Sequence, residues 1–124
     1  MKASYFFVLS IILIVIGLGF ARKHADNTPQ VSVYDDFASC LADAGAVFYG
    51  AWWCPHCNNQ KEAFDNSKNL PYVECSTSDG QGQTQQCIDE QITGYPTWKF
   101  GDGSVLNGEV PLAELAAKTG CVLP

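Results

Sequence analysis

The chain has 124 residues, six of them cysteines, and a formal net charge of −6, which leaves room for one compact domain and a short appendage but not for two domains. Hydrophobic residues make up 47% of it, enough to fill a core, and no repeat or low-complexity tract interrupts it. From Ala25 onward four lysines face all thirteen acids, a net charge of −9; such a surface repels phosphate backbones and argues against nucleic acid as a partner.

Residues Ala3 to Ala21 carry no charge and are nearly all apolar, about the length that crosses a bilayer as a helix. They follow Lys2 in the layout of a signal sequence. The length of the run favours an uncleaved anchor through residues 4–20. Small residues two apart in Gly17-Leu18-Gly19 and Gly19-Phe20-Ala21 leave signal cleavage open. Either outcome exports the remainder of the chain, and six cysteines suit an oxidising, extracytoplasmic compartment. The chain therefore divides into an anchor or signal sequence (1–23), a polar linker (24–30) and a folded domain (31–124).

Val31-Ser32-Val33 reads as a brief strand. Asp35 and Asp36 open a helix through Leu41, with acids suited to a helix N-terminus, and Gly45 ends it. The apolar run Ala46 to Ala51 is short enough to be a buried strand. Pro55 starts a helix that fades near Asn66 to Asn69. Pro71 to Cys75 is a third strand and Ser76 to Gln83 a loop. Thr84 then caps a helix running through Gln91. Thr97 to Phe100 and Ser104 to Leu106 flank Gly101-Asp102-Gly103, a hairpin signal. The last helix spans Pro111 to Lys118 and closes at Gly120. The order βαβαβαββα predicts an α/β domain with a central mixed sheet and helices on both faces.

Cys54 and Cys57 stand two residues apart where a strand meets a helix. That spacing closes a small disulfide while one sulfur stays exposed. Cys54 falls at the helix N-terminus, where unpaired N–H groups and the helix dipole favour a thiolate, and a protonated His56 adds a positive neighbour. Cys54 is then the attacking thiol and Cys57, a turn further on, the resolving one. Haem attachment needs a histidine after the second cysteine, and Asn58 is there. Zinc needs four ligands, and cysteines 40, 75, 87 and 121 form no second close pair. A purely structural bond is disfavoured because so short a loop constrains the unfolded chain little.

Ala51-Trp52-Trp53-Cys54-Pro55-His56-Cys57, followed some forty residues later by Gly94-Tyr95-Pro96-Thr97, resembles the active site and cis-proline loop of the thioredoxin superfamily, and the resemblance runs from Val31 to Cys121. More closely, FYGAWWCPHCNNQK, LPYVECS and GYPTWKF are similar to the thioredoxin-like domain that accompanies bacterial vitamin K epoxide reductase homologues. The resemblance implies a thioredoxin fold, a cis Pro96 beside Cys54, and a docking surface from Trp53, Tyr95, Pro96 and Thr97, with Pro55 and His56 tuning the pair. It implies no cofactor beyond the Cys54–Cys57 disulfide. One departure stands out: many thioredoxins carry a buried acid six residues before the first active cysteine, and Phe48 is there instead. The interval from Cys57 to Pro96 is also too short for the helical insertion of periplasmic disulfide donors.

Cys75 ends a strand and Cys87 lies in the next helix, so a bond between them would pin the intervening loop; the related domain has a pair at matching positions. Cys40 and Cys121 are left to each other, with their contact open. The implied function is thiol–disulfide exchange with exported proteins, reoxidised by a vitamin K epoxide reductase-like, quinone-linked membrane oxidase. Two rivals remain: a membrane-tethered reductase or isomerase, and a non-catalytic binding module of the same fold.

Overall fold

The apolar run that begins at Ala46 forms β1 (Val47–Gly50), the strand on which the sheet is built. In the computed structural model, which describes residue 29 and residues 31–124, β1 pairs in parallel with β2 (Tyr72–Glu74) and antiparallel with β3 (Thr97–Lys99). β3 continues antiparallel to β4 (Val105–Asn107), giving the order β2-β1-β3-β4. The helices are α1 (Asp35–Asp43), α2 (Pro55–Ala63), α3 (Gln85–Asp89) and α4 (Leu112–Thr119). This α/β arrangement, a mixed four-stranded sheet with flanking helices, is compatible with the thioredoxin fold. The expected anchor or signal sequence and nearly all of the linker lie outside the described residues. Among the described residues no helix is long and apolar enough to cross a membrane.

Register sorts the side chains into two layers. Phe48 lies opposite Trp98 and Tyr72, and one face of the sheet packs with Phe37 and Leu41 of α1, Cys57 of α2 and Leu115 of α4. Tyr49 points the other way, as the two-residue period of a strand requires, and joins Cys75, Cys87 of α3 and Ile92. The larger core is an aromatic ladder: Phe37 stacks on Phe64 at 5.7 Å and Phe48 on Trp98 at 5.0 Å, with Phe64 tilted against Trp98 at 6.2 Å. Each such pair contributes roughly 0.5–1.5 kcal/mol beyond the area it buries. Each layer has its own disulfide, Cys40 to Cys121 beside the larger core and Cys75 to Cys87 within the smaller one. The first joins α1 to the residue after Gly120, which caps α4 in the left-handed region at φ 77°.

Three expectations are corrected. Val31–Val33 is not a strand: Ser32 is buried while both valines are exposed. Polar bonds hold the segment as a lead-in to α1. The Ser32 hydroxyl donates to the Phe64 carbonyl at 2.9 Å and accepts from the Tyr34 N–H at 3.1 Å, and its own N–H donates to Asp35 Oδ2. Thr84 sits at the start of α3 but makes no side-chain cap; its hydroxyl reaches the Glu74 carbonyl instead. That helix ends at Asp89 and α2 at Ala63, short of the expected Gln91 and Asn66 to Asn69. Asp65 and Asn66, each at φ 52°, turn the chain through the left-handed region after α2, which short polar side chains tolerate.

Candidate active site

The turn from β1 into α2 places Cys54 at the N-cap of α2, with extended backbone angles (φ −81°, ψ 116°) and Pro55 in the first turn. Proline fits there because its missing N–H would have no helical partner. The Cys57 N–H donates to Cys54 Sγ at 3.3 Å, so the cysteine takes the part that a serine or aspartate plays at other helix starts. The two sulfurs are unbonded and 2.7 Å apart. Among the described residues these two cysteines are the free ones.

Cys54 is not the exposed sulfur expected from the motif. It is 4% exposed and Cys57 fully buried, because the cap geometry folds Cys54 inward against the apolar cluster that also holds Phe48 and Trp98. Burial, and then the contact with Cys54, pushes the Cys57 thiol well above the usual thiol range. The pair is thus asymmetric: the helix N-terminus offers an N–H to one sulfur, while the other is kept as a thiol.

His56 is on the surface, its side chain 71% exposed, but it is not a lone cation. Its Nδ1 lies 2.7 Å from Glu109 Oε1, an oxygen that also accepts from Asn59 Nδ2 at 2.9 Å. The bond to His56, followed by that from Asn59, holds the Glu109 carboxyl below the usual carboxylate range. The positive neighbour that a protonated His56 offers Cys54 therefore has a carboxylate beside it.

The Tyr95–Pro96 peptide is cis. Tyr95 meets Trp53 edge to face at 6.0 Å, and its hydroxyl accepts from Gln83 Nε2 at 2.9 Å, so the proline loop adjoins the Cys54 turn. Trp52 and Trp53 are about half exposed. Their indole N–H groups donate to the Thr77 carbonyl and the Ser76 hydroxyl, docking the loop that the Cys75–Cys87 bond closes. Thr97, expected on the docking surface, is 5% exposed and donates its hydroxyl to the Gly94 carbonyl at 2.8 Å. It holds the loop in shape and is not displayed.

Several site residues have no signal in the local sequence. Gly50 is one: a Cβ there would lie 2.8 Å from Tyr72 Cε2 and 3.0 Å from Cys57 Sγ. Tyr72 and the resolving thiol therefore face each other across a position that only glycine fits. The Tyr72 hydroxyl donates to Glu74 Oε2 at 2.7 Å, and burial, then that bond, pushes it up. Glu74 Oε1 also accepts the N–H groups of Trp52 and Ser76. Phe48 fills the place of the missing acid with an aromatic ring. Among the described residues no cluster of histidine, cysteine and acids is placed to hold a metal.

No known family profile matches the chain. Over 88 residues it is 47% identical to a protein of Arabidopsis thaliana named thiol-disulfide oxidoreductase LTO1, an alignment that covers 67% of this chain and 23% of that relative. The chain thus spans less than a quarter of the relative's length, and over most of its own length it is similar to part of an oxidoreductase.

Proposed function

We propose that the chain is a thiol–disulfide oxidoreductase of the thioredoxin fold, of the kind that accompanies bacterial vitamin K epoxide reductase homologues. It exchanges disulfides with exported proteins through Cys54 and Cys57, outside the cytoplasm, and is reoxidised by a quinone-linked membrane oxidase. The observation that carries the reading is the unbonded Cys54–Cys57 pair, 2.7 Å apart at a helix N-terminus, while the other four cysteines are committed to two bonds. The likeness to a protein named as a thiol-disulfide oxidoreductase supports an enzyme over a binding module.

In the oxidising direction a substrate thiolate attacks Cys54 Sγ of the closed disulfide, and the Cys57 sulfur leaves with the electron pair and takes a proton. A second substrate thiolate then attacks the substrate sulfur of the mixed disulfide and releases the Cys54 thiolate. Two electrons pass from substrate to enzyme, leaving a substrate disulfide and a reduced pair. The membrane oxidase takes the two electrons back.

The His56–Glu109 contact favours one alternative, a reductant or isomerase, because it offsets the charge that would make the pair oxidising. The reduction potential against glutathione separates the two. The oxidant reading places it above the thioredoxin value of about −270 mV, towards −180 to −120 mV. A value at or below about −270 mV makes the chain a reductant.

A further inference from the structure

Glu109 lies between β4 and α4, 53 residues from His56 in sequence, and the backbone on both sides of it is hydrogen-bonded to the rest of the site. On one side, the Gly108 N–H donates to the carbonyl of Pro96 at 2.8 Å. On the other, the Val110 N–H donates to Gln60 Oε1 at 2.7 Å, and Gln60 Nε2 donates back to the Val110 carbonyl at 3.1 Å. Gln60 is 2% exposed, so this anchor is shielded from water. Residues 108–110 thus strap the cis-proline loop to the active-site helix. The carboxylate between these anchors receives His56 and Asn59, donors about one turn apart on the same face of α2.

We propose that Glu109 is a positioning residue for disulfide exchange: it holds His56 as half of a charge-neutral pair and so keeps the Cys54–Cys57 disulfide less oxidising than a lone His56 would make it. The inference rests on the oxidoreductase reading and deepens it. A carboxylate oxygen at Nδ1 is an acceptor, so that nitrogen is the donor in the contact. A protonated ring then has its charge matched at 2.7 Å. A thiolate at the start of α2 feels the residual dipole of the pair, which is weaker than the field of either charge alone. Reduction by glutathione breaks the Cys54–Cys57 bond, forms one glutathione disulfide and transfers two electrons. Any group that stabilises the thiolate draws this equilibrium to the reduced side.

The test is the glutathione equilibrium of the full chain at low salt, followed from about pH 5.5 to 7.5 across the ordinary histidine range. Glu109→Gln keeps an oxygen to accept from Asn59 and removes the charge. It should shift the equilibrium on the order of two- to fivefold towards the reduced form, about 10–20 mV at 29.6 mV per decade. His56→Gln should shift it similarly towards the disulfide, and the double variant should return close to wild type. Nitrogen chemical shifts should show neutral His56 as the Nδ1–H tautomer in wild type, and this preference should be lost in Glu109→Ala, which leaves Nδ1 without that acceptor. An unchanged or lowered potential in Glu109→Gln, or a double variant that keeps either single shift, would overturn the proposal. Failure of wild type to exchange with glutathione would instead refute the oxidoreductase reading, before any variant is compared.

Discussion

Cys57 donates its backbone N–H to Cys54 Sγ at 3.3 Å, so the donor aimed at the attacking sulfur belongs to the residue whose own thiol must later attack that sulfur and release the substrate. The two sulfurs cannot be tuned alike. Burial raises Cys57, and below a raised value its thiolate fraction grows about tenfold per pH unit. Release of a mixed disulfide by Cys57 should therefore accelerate by about that factor per unit across the neutral range, without a plateau. Rapid-quench kinetics from pH 6 to 8 check this; a rate flat with pH would mean that Cys57 is already ionised.

Gly50 should tolerate no side chain. The Tyr72 ring that a Cβ would strike is held edge-on by Phe48 and by its hydrogen bond to Glu74, so the clash must be relieved at Cys57 or in the backbone. Gly50→Ala should cost about 1–3 kcal/mol, the usual range for overpacking, and should slow resolution more than attack. Urea unfolding and single-turnover exchange measure the two effects. A stability equal to wild type would contradict the packing described.

The two structural disulfides should differ in weight. Cys40–Cys121 spans 81 residues and Cys75–Cys87 spans 12; loop-closure entropy then assigns them about 4.5 and about 3 kcal/mol. Replacing each pair by alanines and comparing urea midpoints tests the order. Loss of the shorter bridge should also free the loop on which Trp52 and Trp53 rest, and so change tryptophan fluorescence. An equal or larger cost for the shorter bridge would contradict the assignment.

Where residues close in sequence decide the structure, the sequence was a good guide. The glycine-bounded apolar run from Ala46 became β1, Gly101-Asp102-Gly103 became the β3–β4 turn, and Pro111 and Gly120 bracket α4. Val31–Val33 misled because two β-branched residues promise a strand, while the outcome turned on one hydroxyl reaching Phe64, 32 residues away. Glu109 was invisible for the same reason. Nothing in Gly108-Glu109-Val110 marks a partner for His56, and only the strap from Pro96 to Gln60 brings it there. Motif residues could be read from spacing, whereas the groups that set their charge and exposure come from elsewhere in the fold.

The attacking sulfur can be trapped directly. The full chain carrying Cys57→Ser is mixed with a peptide disulfide, quenched in acid and digested, and the modified cysteine is located by mass spectrometry. A stable mixed disulfide should form on Cys54 and be absent from Cys54→Ser, with Cys40, Cys75, Cys87 and Cys121 still paired. No adduct on Cys54, or an adduct on one of the other four cysteines, would contradict Cys54 as the attacking sulfur.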